Sequence, residues 1–377
     1  MSLFEALLFP VPRPSYDMHS FPNELLWIPW GLDYGKCKAG DSVPALFLQC
    51  PNARYLVLYL HSNGEDIGLC HAFGCGLRAV LEVHVLLVEY PGYGICPGRC
   101  SEESLWAAAV AAFRFASEVL RCPAEDVIVM GRSLGAATAT RLASSTECHG
   151  LILVAPFLSL VDAVGEYVGG LAKLLVSDIF SNRRRIGGVQ VPTLVIHGKQ
   201  DCLVPCTQGQ RLFELCPHER KLLVTPEEME HNSDLLSDPE FLVRPMLRFF
   251  SLPDYSFDEL LVPPQAFDKR LCLQYHGLVE LAKGDAPLPQ PLGDQEPSPR
   301  ACGIDAEGPQ CSARHFPGAG GDVDGLEGSN DWTVRTSPRP SESASGDGAD
   351  EALILPDLRV LDIETGIARF LGEGGGA

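Results

Sequence analysis

The chain has 377 residues, of which 46% are apolar and 21% charged, and it carries a net charge of −20 at neutral pH. That length supports a sizeable buried core, and the composition excludes a wholly disordered, collagen-like or coiled-coil chain. So acidic a chain repels phosphate, which argues against nucleic-acid binding.

The sequence opens Met1-Ser2-Leu3-Phe4-Glu5, without a basic n-region or a small-residue cleavage site, so no secretory signal is expected. Ser2 excludes N-myristoylation, and Gly374-Gly375-Gly376-Ala377 is no prenylation box. There is no apolar run of about 18 residues or more, so no transmembrane helix is expected. The expected location is cytoplasmic. The apolar stretch Leu3 to Val11 leaves open a peripheral place on membranes, beside the plainer reading of a strand or turn packed on the core.

Short apolar runs predict buried strands at 45–50, 55–61, 83–90, 126–130, 151–155, 193–197 and 221–224. Helical spacing appears over 102–120, with Ser101 as N-cap, and again over 134–145, 207–216 and 238–250. Alternation of this kind predicts an α/β fold with a mostly parallel sheet. The 14 cysteines are scattered through these elements and are read as reduced thiols. Cys70-His71 with Cys75, Cys96 with Cys100, and Cys202 with Cys206 lack knuckle spacing, so no metal is expected.

The composition changes after residue 283. Residues 284–377 hold 17 acidic residues against 6 Arg and no Lys, and they are rich in Gly, Pro and Ser. Such a segment buries too little apolar surface to order itself. The expected organisation is an N-terminal segment 1–20, a catalytic domain 21–252, a helical extension 253–283, a disordered acidic linker 284–350, and a short apolar helix or docking segment 351–377. The last carries Leu353, Leu358, Leu361, Ile367 and Phe370, and suggests either packing on its own domain or a partner.

The most informative stretch is Gly131-Arg132-Ser133-Leu134-Gly135, a G-x-S-x-G between a predicted strand and an Ala-rich helix. A tight strand-to-helix turn strains the Ser backbone, and only small residues two positions either side avoid a clash, hence Gly131 and Gly135. The turn lifts the hydroxyl above the sheet, at the positive end of the helix dipole. Ser133 is therefore the candidate nucleophile, and it needs a base and an orienter, which follow it in chain order as acid and then His. Asp201 lies just past the strand 193–197, and His231 follows the strand 221–224. The rival His218 precedes its strand, at the wrong edge of the sheet, and His197 lies inside a strand. Glu227, Glu228 and Glu230 crowd His231 and are expected to favour its charged form if they face it; a solvated acidic loop is the competing reading. The backbone amides of Asn63 and Leu134 are the candidate oxyanion donors. Tyr93, Phe157 and Leu158 are the candidate pocket walls, with a purely structural loop as the equal reading for Tyr93.

His61-Ser-Asn-Gly-Glu-Asp, Tyr90-Pro-Gly-Tyr-Gly, Gly131-Arg-Ser-Leu-Gly, His197-Gly-Lys-Gln-Asp201 and His231-Asn232 together resemble the serine-hydrolase branch of the α/β-hydrolase superfamily. More narrowly they resemble the α/β-hydrolase domain-containing proteins 17 and 13, within the serine aminopeptidase-like branch. The resemblance runs from about Phe9 to Phe250 and implies an α/β-hydrolase fold, with helices on both faces of a mostly parallel sheet and a short cap. It implies Ser133 as nucleophile, Asp201 as acid, His231 as base, and Asn63 and Leu134 as oxyanion donors. It implies no cofactor. The 17 subgroup implies release of S-linked fatty acyl chains from proteins, with an acylated protein or lipid as substrate.

The segment between Pro156 and Pro192 is short for a lid, so an open site is expected. Its apolar residues over 158–180 read as an acyl groove or membrane patch, or as core packing. Arg183-Arg184-Arg185 reads as a contact for anionic headgroups or as a solvated loop. The sequence thus points to a serine hydrolase acting on an acyl ester or thioester, including a protein depalmitoylating thioesterase. A lipid esterase or lysophospholipase, a serine aminopeptidase-like peptidase, and a non-catalytic binding module on the same scaffold remain as alternatives.

Overall fold

The computed structural model describes residues 11–163 and 179–274. Its centre is an eight-stranded sheet made of β1 (Leu25–Pro29), β2 (Ser42–Leu48), β3 (Leu56–Leu60), β4 (His84–Val88), β5 (Val127–Arg132), β6 (Gly150–Val154), β7 (Thr193–Ile196) and β8 (Lys221–Val224). The strands lie in the order β1-β2-β4-β3-β5-β6-β7-β8. β2 runs antiparallel to both neighbours, and β4 through β8 are parallel.

The strands are apolar on both faces because helices cover both. Leu56, Leu58 and Leu60 of β3 pack toward α2 (Glu102–Arg114), α3 (Leu134–Ala143) and α5 (Cys206–Leu215). Val57 and Tyr59 point the other way, toward α1 (Ile67–Leu81) and α6 (Val243–Phe250). A short turn of helix, α4 (Asn182–Arg185), precedes β7. Each fully buried aliphatic side chain contributes about 1.5–3 kcal/mol to this double-sided core.

The predicted strands all form, within a residue or three of their expected bounds. Ser101 caps α2 in a reciprocal pair with Ser104. Four elements differ from expectation. The helix predicted over 102–120 is α-helical only to Arg114 and closes with a wider π turn, Phe115–Val119. The helix predicted over 238–250 starts at Val243, because Asp238 instead turns the chain by accepting the Glu240 amide. β1 and α1 went unpredicted. β1 ends in Pro29, which a sheet tolerates only at an edge. α1 contains Gly68, Gly74 and Gly76, which lower helix propensity. Two of these glycines face close neighbours: a Cβ would lie 2.8 Å from Leu48 Cδ1 at Gly74 and 2.3 Å from Leu236 Cδ1 at Gly76, so those leucines would have to shift.

Residues 253–274 of the expected extension hold two 3-10 turns, Pro264–Phe267 and Lys269–Leu271. They join the core through Ala266 and through a bridge between Ala53 and Tyr255. Arg183 and Arg185 are drawn into ion pairs with Asp162 and Glu102. Among the described residues the cysteines are free thiols, no three His, Cys, Asp or Glu side chains group to hold a metal ion, and no helix is long and apolar enough to cross a membrane. The apolar stretch 3–11 (residue 11 apart), most of the expected cap helix (164–178) and the segments beyond 274 lie outside the described residues.

The topology places the site. β3 lies between β4 and β5, so the chain leaves its carboxyl end on one side and returns on the other. Leu60 of β3 stands level with Gly131 of β5, which brings the loop after β3 beside the turn after β5. Such a switch point is where α/β sheets form their sites. α3 approaches β3 closely: a Cβ on Gly135 would lie 2.0 Å from the Leu60 carbonyl oxygen. Gly135→Ala is therefore expected to lower stability by about 3 kcal/mol or more, read as a fall in Tm or loss of soluble protein.

Candidate active site

Ser133 occupies a strained turn. Its φ is +50° and its ψ −111°, a conformation that L-residues other than glycine rarely hold. Two contacts over-determine it. The Ser133 amide donates to the Val154 carbonyl at 2.9 Å, and a Cβ at Gly131 would lie 2.3 Å from the Gly135 carbonyl oxygen. The hydroxyl projects at the amino end of α3, whose first amides have no carbonyl partner within the helix. Leu134 is the first residue of that helix, so its N–H is one of these.

Asp201 and His231 arrive from neighbouring strands. Asp201 follows β7 and His231 follows β8, at the same edge of the sheet as Ser133. His231 Nε2 lies 3.1 Å from Ser133 Oγ, and His231 Nδ1 lies 2.7 Å from Asp201 Oδ2. All three are buried, at 8% exposure or less. The structure thus brings Ser133, His231 and Asp201 into one hydrogen-bonded row. With Nδ1–H donated to the carboxylate, Nε2 presents its lone pair to the serine hydroxyl.

Asp201 is held ionised. Burial opposes its charge, but hydrogen bonds from His197, His231 and the Val204 amide outweigh it and keep the carboxyl well below the usual carboxylate range. The amides of Leu203 and Val204 donate to Oδ1, and His197 Nε2 lies 3.1 Å from Oδ2. His197 is wholly buried and steadies the acid rather than acting as a base. His218 stands before β8, its ring nitrogen accepting from the Arg220 amide, away from Ser133. Glu227, Glu228 and Glu230 are exposed, and Glu227 pairs with Lys199. The carboxylate that meets His231 is Asp201, so the expected role of the three glutamates gives way to the solvated reading.

Asn63 lies in the loop after β3, with its side-chain oxygen accepting from Tyr93 Oη at 2.6 Å. Tyr93 corrects one expectation. Its ring is completely buried and its hydroxyl is committed to Asn63, so it anchors the loop instead of walling an open pocket. Phe157 and Leu158 follow β6; the Phe157 carbonyl accepts from Asn182 Nδ2 and the Leu158 amide donates to Gln208 Oε1. A separate cleft of about 140 Å³ opens between α1 and the loop of His231, lined by Glu65, Leu69, Phe73, Arg132, Asn232 and Leu235.

Sequence reasoning missed the part played by Arg132. Its buried guanidinium donates to the carbonyls of His231 at 2.7 Å and Ser233 at 3.0 Å. The residue before the candidate nucleophile thereby ties down the loop of the candidate base. The signal was present as an arginine in a buried elbow, a position where a cation needs acceptors.

The fold and this row of side chains define the chain as an α/β-hydrolase-fold protein. No family model matches it. It is similar to α/β-hydrolase domain-containing protein 17C, at 30% identity over 189 residues in Xenopus tropicalis and 31% over 185 residues in Homo sapiens. Those matches cover 50% and 49% of this chain, and 58% and 55% of the relatives. The chain thus spans little more than half the length of these relatives. The domain-containing protein aho-3 of Caenorhabditis elegans is 28% identical over 241 residues, covering 60% of this chain and 71% of that one. Among solved structures, an esterase of Pyrococcus furiosus superposes with a TM-score of 0.50 at 15% identity, over 65% of this chain and 97% of that one, a likeness of fold.

Two substitutions test this arrangement. In Asp201→Asn the ring of His231 loses its anionic partner, and turnover should fall on the order of 10³-fold or more. Because the folded carboxyl titrates below its unfolded value near 4, its contribution to stability is complete above about pH 4 and is lost as pH falls further. The stability gap between wild type and Asp201→Asn, read by urea unfolding, should therefore narrow toward acid. Arg132→Met keeps the apolar stem and removes both bonds to the His231 loop. It should lower kcat/KM about 10- to 100-fold in a steady-state assay.

Proposed function

We propose that the protein is a serine hydrolase that cleaves an acyl ester or thioester through an acyl-enzyme. The observation that carries this reading is the continuous row from Ser133 Oγ through His231 to the ionised Asp201, set on a strained turn. Ser133 Oγ attacks the acyl carbonyl while His231 Nε2 takes its proton. The carbonyl oxygen becomes negative, and the amides of Leu134 and Asn63 are the donors assigned to it. The imidazolium, steadied by Asp201, returns the proton to the departing alcohol or thiol as the tetrahedral intermediate collapses. Water then enters, His231 takes a proton from it, and the acyl group leaves as a carboxylic acid while Ser133 regains its hydrogen. Every step balances with the chain's own residues and water.

Within that class, the finer reading is a thioesterase that releases fatty acyl chains from S-acylated proteins. It rests on the sequence likeness to the 17 group and on the short segment between β6 and β7, which supports access for a bulky acylated substrate. An S-acyl group needs little help from a general acid, because a thiolate is a far better leaving group than an alkoxide. The reading includes a peripheral place on membranes, where such substrates reside.

The test is hydrolysis of a chain-length series of acyl esters and matched thioesters, with wild type beside Ser133→Ala, together with labelling by a fluorophosphonate probe. Labelling and turnover are expected to vanish in Ser133→Ala, with long-chain thioesters preferred in the wild type. Labelling that survives the substitution refutes the nucleophile. A Ser133-dependent preference for short esters keeps the mechanism and moves the substrate to a general esterase. Cleavage of aminoacyl amides instead would move it to a peptidase.

A further inference from the structure

Behind the loop that carries Asn63 lies a buried polar cluster that the proposed mechanism does not use. His61 and Glu89 are 1% and 0% exposed, yet both are titratable. His61 Nε2 lies 3.1 Å from Glu89 Oε1, and His61 Nδ1 lies 2.9 Å from the carbonyl oxygen of Ser62. A carbonyl only accepts, so Nδ1 bears a hydrogen. Glu89 meets three further donors: the Tyr90 amide at Oε1, and Tyr16 Oη and the Ile67 amide at Oε2. Both oxygens of Glu89 are thus met inside the core, and one of them faces the ring. Burial works against a charged ring, but the bond and charge of Glu89 and the Ser62 carbonyl prevail, and His61 is held above its ordinary value. The ring is also stacked on Tyr90, with centroids 4.0 Å apart, and Tyr90 Oη donates back to the His61 carbonyl. It has no freedom to turn.

The consequence lies in one peptide unit. The Ser62 carbonyl and the Asn63 N–H belong to the same planar trans peptide, and they point in opposite directions. Whatever holds the carbonyl aims the N–H. We infer that His61 is a positioning residue for the oxyanion: its Nδ1–H grips the Ser62 carbonyl and so sets the direction of the Asn63 amide, while Glu89 and Tyr16 lock the ring. Glu65 Oε2, 3.3 Å from the Ser62 amide, and Tyr93 on the Asn63 side chain fix the two ends of the same turn. Tyr16 comes from the segment before β1, so residues far from the nucleophile in sequence stand behind the donor. Burial and the neighbouring Glu89 keep Tyr16 a phenol and hence a donor.

This inference rests on the proposed function, and two substitutions of one residue separate it from a structural role. The amide nitrogen of Asn falls near the position of Nδ1, whereas that of Gln falls near Nε2. His61→Asn therefore keeps the grip on Ser62 and gives up Glu89; His61→Gln does the reverse. With a p-nitrophenyl acyl ester as substrate, His61→Gln is expected to lower kcat about 10- to 100-fold with KM within about threefold of wild type, since losing an oxyanion donor outright costs about 10²- to 10³-fold. His61→Asn is expected to recover most of that loss. Equal kcat in the two variants, or wild-type kcat in His61→Gln, overturns the inference. Should His61→Gln fail to fold, Tyr16→Phe serves in its place: a several-fold drop in kcat at constant KM is expected, and an unchanged kcat overturns it. Ser133→Ala is run alongside. Turnover that persists there strikes the proposed function, whereas Ser133-dependent turnover indifferent to His61 strikes only the role given to this ring.

Discussion

The arrangement depends on how closely α3 approaches the sheet. At Gly135 the helix backbone sits where a Cβ would be 2.0 Å from the Leu60 carbonyl oxygen, and at Gly131 a Cβ would meet the Gly135 carbonyl oxygen at 2.3 Å. Two missing methyl groups let the strand turn straight into the helix. That turn forces Ser133 to a positive φ and sets its hydroxyl at the helix's open amides. The loop after β3 comes beside the turn because β3 pairs with β5, Leu60 level with Gly131, and the helix backbone also closes on β3 at Gly135. Ser133 and the loop that carries Asn63 are therefore placed side by side.

The polar groups around that turn are held by a second principle. In a dry interior, a charge without partners is expensive, so each buried ion here is surrounded by counter-groups that also fix geometry. Arg132 satisfies its guanidinium on the carbonyls of the His231 loop. Asp201 spreads its charge over His231, His197 and two amides. Glu89 meets His61, Tyr16 and two amides. In each case at least one partner lies on a segment distant in sequence from the group it meets. Satisfying the charge and joining the loops are one act, and the cost of breaking it keeps the site in a single arrangement.

The two halves of the sheet contribute differently. β5, β7 and β8 deliver Ser133, Asp201 and His231, each from the carboxyl end of a parallel strand. β3 and β4 deliver the opposite wall, in which His61, Asn63, Glu89 and Tyr93 interlock. The antiparallel β1 and β2, with the segment before them, close the far edge and bring Tyr16 under that wall. The N-terminal stretch is thus part of the site's support as well as of the core.

Much of this was legible in the residues. Continuous apolar runs announced strands buried on both faces, and the strand–glycine–serine–glycine–helix pattern carried its own steric reason. Asp201 and His231 could be singled out because each follows a strand at the edge where Ser133 emerges, and the structure brings the three together. β1 and α1 escaped because Pro29 and three glycines contradict local propensity, and only packing against Leu48 and Leu236 makes those residues fitting. Tyr93 was placed on the right loop but facing the wrong way, since sequence says which loop a ring is on and not which hydroxyl acceptor waits beside it. The roles of Arg132, His61 and Tyr16 were invisible for the same reason. Their partners lie 99, 1 and 73 residues away, and the partner at distance 1 matters through the plane of a peptide that only the fold orients. Local chemistry and periodicity therefore determined the elements and the three side chains of the row. Which backbone groups those and the other buried charges hold was decided by tertiary structure, because a buried charge takes its partners from whatever the fold brings within hydrogen-bond reach.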